Sequence, residues 1–300
     1  MARHPVIFDR FLLRARRRRA CMRGPETFLL TRVAEELVER LSLVKRDFAI
    51  AVDLGTPGSE LRAALRARNL AARVIAVDSL AENLAGEAGR AVVADEEALP
   101  FADGALDLVV SALALHFVND LPGALLQIRR ALRPDGLFLA ALFGGETLSE
   151  LREAFAAAES EIEGGISPRV APFADLRGLG AVLQRAGFAL PVTDVDRLVV
   201  RYDDVFALMS DLRRMGATNV LADRRRLPLR RATLMRMAAI YSERFADGDG
   251  RVRATFEIAW LSGWAPHESQ QQPLRPGSAR MRLADALQTK ESPAGENAGG

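Results

Sequence analysis

The chain has 300 residues, 49% of them apolar and 27% charged, the mixture of a globular protein with a sizeable core. That excludes a largely disordered, collagen-like or coiled-coil chain, and the lone cysteine, Cys21, excludes an internal disulfide, a zinc ribbon and a CxxC redox pair. The longest apolar stretch, near Leu108 to Val118, is far shorter than the roughly 20 residues that span a bilayer, so no transmembrane segment is expected.

The net charge is +2, yet all but two of the 41 basic residues are arginine, Lys45 and Lys290 being the exceptions. Arginines cluster at Arg14 with residues 16–19, and at residues 224–226 with Arg230 and Arg231. Such runs suit a solvated helix face, or contact with an acidic protein, nucleic acid or lipid headgroups. Residues 1–24 contain one acid, Asp9, as a transit peptide does, but no apolar core of secretory length. The expectation is a basic N-terminal helix that stays on the protein.

In chain order, Pro25 to Leu43 has apolar residues at helical spacing. Residues 48–52 read as a buried strand ending in the turn Asp53-Leu54-Gly55, and Arg62 to Arg68 as a helix. Further strands are expected at 73–77 (before Asp78), 91–94 (before Asp95) and 106–110, then a helix from Leu121 to Leu132, a turn at residues 133–136 and a fifth strand at 137–143. Continuous apolar strands alternating with helices predict an α/β fold with a doubly wound parallel sheet. Helices follow at 146–160 and 173–186, a sixth strand at 192–201, a broken helical stretch at 204–245 and a seventh strand at 252–260. The two late strands predict an antiparallel addition to the sheet edge, with a helical cap inserted before the last strand. The expected division is a basic segment at 1–24, the α/β domain at 25–202, the cap at 203–250, the last strand at 251–268 and a flexible polar tail at 269–300.

Ligands of doubly wound folds bind beyond the carboxyl ends of the strands. Gly55 lets backbone approach a ligand closely, and the following helix offers free N–H groups. Asp78, beyond the second strand, is placed to accept both hydroxyls of a ribose. Asp95 and Glu96, beyond the third, can accept from an exocyclic adenine amine. Gly55, Asp78 and Asp95 together predict an adenosine-type ligand; taken singly, the acids are also ordinary turn or cap residues.

This set, with Glu97 to Gly104, Leu106-Asp107 and Leu132 to Gly136, resembles the class I S-adenosylmethionine (SAM)-dependent methyltransferases. The resemblance implies a seven-stranded, mostly parallel, Rossmann-like sheet. It also implies SAM as cofactor, bound by Asp53, Gly55, Gly58, Asp78, Asp95, Glu96 and Ala112. That superfamily's first motif reads D-x-G-x-G-x-G; here Pro57 and Ser59 stand at the second and third glycine positions, and proline has no N–H to offer. A narrower resemblance covers nearly the whole chain. It is to the complex I assembly factors that hydroxylate an arginine on a respiratory subunit, and to their alphaproteobacterial relatives. It is carried by residues 7–10, 115–122, 143–148, 167–173, 185–188, 211–219, 267–270 and 277–279. A more distant resemblance is to the malonyl-acyl-carrier-protein O-methyltransferases of biotin synthesis.

The resemblance implies a cytoplasmic protein-modifying enzyme whose partner is a respiratory complex I subunit, with peripheral contact at the inner membrane face. No nucleic-acid signature is present. Methyl transfer depends largely on positioning; a guanidinium nucleophile needs a nearby carboxylate, for which Glu146 is the candidate, and His116 follows the fourth strand close to the expected reacting group. Glu146 could equally cap a helix, and His116 could be a cleft-wall residue bonded to backbone. No metal site is assigned: a two-histidine, one-carboxylate iron site requires His116 and His267 to converge with Asp120 or Glu146. Two alternatives stay open, a carboxyl O-methyltransferase acting on an acyl carrier protein and a non-catalytic assembly scaffold.

Overall fold

A computed structural model describes residues 6–271, 281 and 283–290. Aspartates open several helices by the same local chemistry, a carboxylate accepting a free N–H of the first turn. Asp9 caps α1 (Arg10–Met22) through Leu12 N at 2.9 Å, and Asp120 caps α4 (Leu121–Ala131) through Gly123 N at 2.8 Å. Asp175 caps α6 (Leu176–Arg185) and Asp204 caps α7 (Val205–Arg214) in the same way. The other helices of this unit are α2 (Phe28–Ser42), α3 (Glu60–Ala67), α5 (Ser149–Glu163) and α8 (Arg231–Phe245).

Seven strands form one sheet: β1 (Ile50–Leu54), β2 (Arg73–Asp78), β3 (Ala91–Val93), β4 (Leu106–Ala112), β5 (Leu132–Phe143), β6 (Ala189–Tyr202) and β7 (Val252–Trp264). Their order is β3-β2-β1-β4-β5-β7-β6, parallel through β5, with β7 antiparallel to β5 and β6 antiparallel to β7. This is the expected doubly wound sheet with its antiparallel edge. The chain reverses direction of winding between β1 and β4, which opens the crevice beyond their carboxyl ends.

Period-two alternation divides the sheet between two cores. In β5, Leu137, Leu139, Ala141 and Phe143 pack with α2, α5, α7 and α8, while Phe138, Ala140 and Leu142 pack with α4 and α6. Residues of the predicted cap segment, among them Leu208, Leu212, Met237 and Tyr241, belong to the first of these cores. Burial of each such large apolar side chain contributes roughly 1.5–3 kcal/mol.

Two expectations are corrected. Residues 133–136 are not a free turn: Leu132 already pairs with Leu106, and the strand continues through an irregularity in which Asp135 takes a positive φ of 65°. The basic helix is solvated on one side only: Arg18 and Arg19 are exposed, whereas Arg17 is 5% exposed and Arg10 and Arg14 are ion-paired to Asp95 and Glu96. The compact unit ends at Pro266. Beyond it, His267 is exposed and bonds Ser269, and Leu283–Ala286 forms a short helix, α9. The rest of the expected tail, at 272–280, 282 and 291–300, lies outside the described residues. Among the described residues no helix is long and apolar enough to cross a membrane.

Candidate functional site

The turn after β1 is built by its own side chains. Thr56 donates its hydroxyl to the Asp53 carboxylate and accepts the Ala112 N–H at 3.1 Å, tying the ends of β1 and β4 together. Gly55 takes φ +70°, and a Cβ there would stand 2.6 Å from Glu96 Oε1, so only glycine fits. Gly58 bonds Thr56 through its N–H, and its carbonyl accepts from Arg62. Pro57 thus interrupts neither turn; it lines the cavity above them. Asp53 and Ala112 are buried braces of this turn.

Asp53 is buried beside Arg62, at 3.4 Å. Burial pushes its carboxyl up to about 7, opposed by the Thr56 hydroxyl and Arg62. Asp78 is also raised by burial, opposed by the charge of Arg17 and by bonds from Asn83 Nδ2 (2.9 Å) and Leu80 N (2.7 Å). Both of its carboxylate oxygens are thus engaged within the fold.

The expected adenine-side acids already have partners. Arg10 donates to both Asp95 (2.7 Å) and Glu96, Arg14 to Asp95 at 3.2 Å. Arg17 lies 3.4 Å from the Gly55 carbonyl and 3.8 Å from Glu96. What remains open beside Arg17, Pro57 and Asn83 is a cavity of about 50 Å³, whereas pockets for small ligands typically hold about 300 Å³ or more. The acceptor set and the glycine cradle therefore fit an adenosine-type ligand, and Glu96 Oε1 is buried without a hydrogen bond. The space as it stands is too small for such a ligand, and Arg17 forms part of its wall.

α1 is strapped across this crevice from both ends. Asn119 accepts Ile7 N (2.8 Å) and Phe8 N (2.7 Å) and donates to the Phe8 carbonyl. Asp9 N bonds the Val220 carbonyl, and Gly216, at φ +68°, allows Arg17 Cα within 3.1 Å of where its Cβ would be. Residues 7–10, 115–122 and 211–219, which carried the narrower resemblance, therefore meet here.

Beside the crevice lies a larger cavity of about 240 Å³, lined by Phe117, Phe143, Phe155, Phe173 and Phe256, with Arg16, Arg169 and Arg213 also in its wall. Phe117 and Phe143 are shared with the smaller space. Glu159, wholly buried, holds Arg169 and Ser167 in place; those bonds keep its carboxyl low against the opposing effect of burial.

His116 sits behind these rings, 8% exposed, with ring centroids 4.2 Å from Phe117, 4.6 Å from Phe143 and 5.2 Å from Phe173. Nδ1 accepts from Phe143 N at 3.4 Å, which puts the proton on Nε2, and Nε2 is buried with no partner. Burial, then the charge of Arg17, holds the ring neutral, well below its ordinary pKa.

Glu146 is not brought to this place: it is exposed and lines neither cavity. The carboxylate at that loop is Glu257, which lies against Gly144, while Thr147 exchanges bonds with the Glu257 backbone and Leu148 N bonds the Thr255 carbonyl. The Gly-Gly-Glu-Thr-Leu stretch is thus pinned to β7. Among the described residues no three His, Cys, Asp or Glu side chains gather as a metal requires. Sequence reasoning did not place Arg10 and Arg17 at this crevice; the spacing of residues along a helix says nothing of what it docks against.

Residues 52–140 match the methyltransferase domain family. The chain is 40% identical to the mitochondrial arginine-hydroxylase NDUFAF5 of Homo sapiens over 93% of this chain and 83% of that protein. It is equally identical to its Danio rerio counterpart over 86% and 81%. The malonyl-[acyl-carrier protein] O-methyltransferase of Laribacter hongkongensis is 37% identical over 78% and 82%. The YcgJ protein of Bacillus subtilis shares the fold at a TM-score of 0.53, with 18% identity over 78% of this chain and 99% of that one. The chain therefore belongs to the methyltransferase-domain family that includes the NDUFAF5 arginine hydroxylases and, further off, the malonyl-[acyl-carrier protein] O-methyltransferases.

Proposed function

We propose that this chain is a protein-modifying enzyme that hydroxylates an arginine of a respiratory complex I subunit during assembly, on a site that also takes SAM. The observation that carries it is the 40% identity to NDUFAF5 over 93% of this chain; residues of 115–122, 143–148, 167–173 and 211–219, which carried the narrower resemblance, line one aromatic cavity. Asp78 would hold the ribose and the Gly55 turn would admit the ligand's backbone-facing side, with Asp53, Gly58 and Ala112 bracing that turn. When bound, SAM supplies an electrophilic sulfonium methyl, the chemistry of the family fold. Hydroxylation itself consumes dioxygen and two electrons from an external reductant, one oxygen atom entering the substrate and the other leaving as water.

The residues of the cavity do the positioning. The faces of Phe117, Phe143 and Phe173 attract a cationic guanidinium through their π-systems. Behind these rings His116 keeps a neutral Nε2–H donor, buried without a partner in the fold. Mass spectrometry of complex I subunits from a strain lacking the chain tests the reading: loss of an oxygen increment on an arginine supports it, and an unchanged arginine overturns it. The site is placed in the cytoplasm by this reading, where subunits assemble.

A second reading has its own support. Arg16, Arg169 and Arg213 in the cavity wall suit a carboxylate, the acceptor implied by the acyl-carrier-protein O-methyltransferase relatives. Biotin auxotrophy of the deletion strain would favour it. The position of Arg17 in the crevice favours the third, a scaffold without catalysis; undetectable S-adenosylhomocysteine binding by the parent chain and the Arg17→Ala variant alike would favour that.

A further inference from the structure

The second arginine cluster is largely neutralised within the molecule. Arg224 pairs with Asp9 at 3.1 Å, Arg225 with Glu163 at 2.6 Å and Arg230 with the same Glu163 at 3.8 Å. A different set is not. Arg16, Arg19 and Arg23 follow one another at i, i+3 and i+7 along α1 and its end, facing Arg213 and Arg214 at the end of α7. Together they line one groove of about 520 Å³ with no carboxylate in its wall.

Within this groove Arg214 pairs with Glu26 at 3.0 Å, and Arg16 donates to the Asn219 carbonyl. Arg19, Arg23 and Arg213 have no acidic partner among the described residues. Burial, then the nearby charges of Arg224 and Arg19, lowers the Arg16 pKa, the response of a cation among cations. The groove shares Arg16, Arg213 and Thr218 with the aromatic cavity. It therefore adjoins that cavity.

We propose that this groove docks an acidic peptide segment of the protein substrate, running beside the residue that enters the cavity. The inference rests on the reading that the substrate is a protein. From Arg16 to Arg23 the helix rises about 10 Å, and one three-residue turn of a polyproline-II peptide covers about the same length with side chains i and i+3 on one face. Carboxylates three residues apart therefore meet both ends of the row. A single phosphate would engage only two of the guanidiniums, and a flat lipid surface would meet the rim rather than the concave wall. Charge complementarity of this kind speeds encounter and sets register.

The test is fluorescence anisotropy with a labelled decapeptide bearing Asp or Glu at every third position, its Asn/Gln counterpart as control, and the full chain. Arg19 and Arg23 are exposed, so the double reversal Arg19→Glu with Arg23→Glu leaves the core intact, which an unchanged melting temperature verifies. The expected result is peptide binding that weakens with salt and falls at least about tenfold in the double variant. S-adenosylhomocysteine binding, measured on the same samples, is expected to stay as in the parent chain. No binding of the acidic peptide at low salt overturns the proposal, as does equal binding of the Asn/Gln peptide or of the double variant. Loss of binding to phosphatidylglycerol vesicles in the double variant without loss of peptide binding assigns the groove to a membrane instead, and millimolar phosphate competing as well as the peptide assigns it to a small anion. Peptide failure with arginine hydroxylation intact in cells defeats the groove alone; the reverse result defeats the functional reading alone.

Discussion

The Arg17 guanidinium lies 3.4 Å from the carbonyl of Gly55, so the helix before the sheet reaches the point where a ligand of this fold meets the first strand. Its charge is felt by both Asp78 and His116. One side chain thus links the Gly55 turn, Asp78 and His116.

Arg17→Ala is expected to tighten S-adenosylhomocysteine binding by about tenfold, because a ligand no longer has to select a minor, open state. The same change leaves Glu96 with one guanidinium fewer in a buried setting and is expected to lower stability by about 3 kcal/mol. Calorimetry and urea unfolding on the same preparation check both. Weaker binding would instead make Arg17 a ligand contact.

Asp53 gives a stability profile with a definite sign. Its carboxyl is raised from 3.8 to about 7 in the folded chain, so between those values the folded state holds a proton that the unfolded state has lost. Stability contributed by this group is full below about pH 4 and is lost as pH rises through about 7. Asp53→Asn is expected to flatten that slope, gaining on the parent chain by on the order of 1 kcal/mol or more near pH 8. Denaturant midpoints across this pH range give the comparison.

His116 is expected to remain neutral through the range in which a free imidazole takes up its proton, since burial and Arg17 both lower its pKa. The unfolded chain takes up a proton near 6.5 while the folded chain does not, so this group lowers stability as pH falls below that value. Imidazole resonances followed by NMR should show no titration of this ring in that interval. His116→Phe keeps the aromatic packing and removes the Nε2–H donor; substrate modification should drop by about 10²-fold with little change in melting temperature.

Glu159 tests the wall of the larger cavity. It is 0% exposed and satisfies Arg169, Ser167 N and the Ser167 hydroxyl. Glu159→Ala strands Arg169 and is expected to cost about 3 kcal/mol, with faster proteolysis across residues 164–173. Guanidinium unfolding and limited trypsin digestion measure the two effects; an unchanged midpoint would remove Glu159 from the wall's support.

Strands β1 to β5 were readable because alternation and continuous apolar runs are local, and the acids at their ends follow from the same reading. Asp78 could be assigned to the crevice for that reason. Glu146 could not be assigned from its position after β5, because the loop's direction is set by Glu257, Thr147 and Thr255, more than 100 residues apart across β7.

The sequence by itself determined the sheet, its two faces and the edge on which ligands bind, since each follows from periodicity and from the right-handedness of parallel connections. Tertiary structure decided what that edge contains. An arginine on a helix looks alike in sequence whether it faces water or a crevice, and only the strap from Asn119 to Phe8 and from Val220 to Asp9 turns Arg10 and Arg17 inward while leaving Arg19 and Arg23 outside.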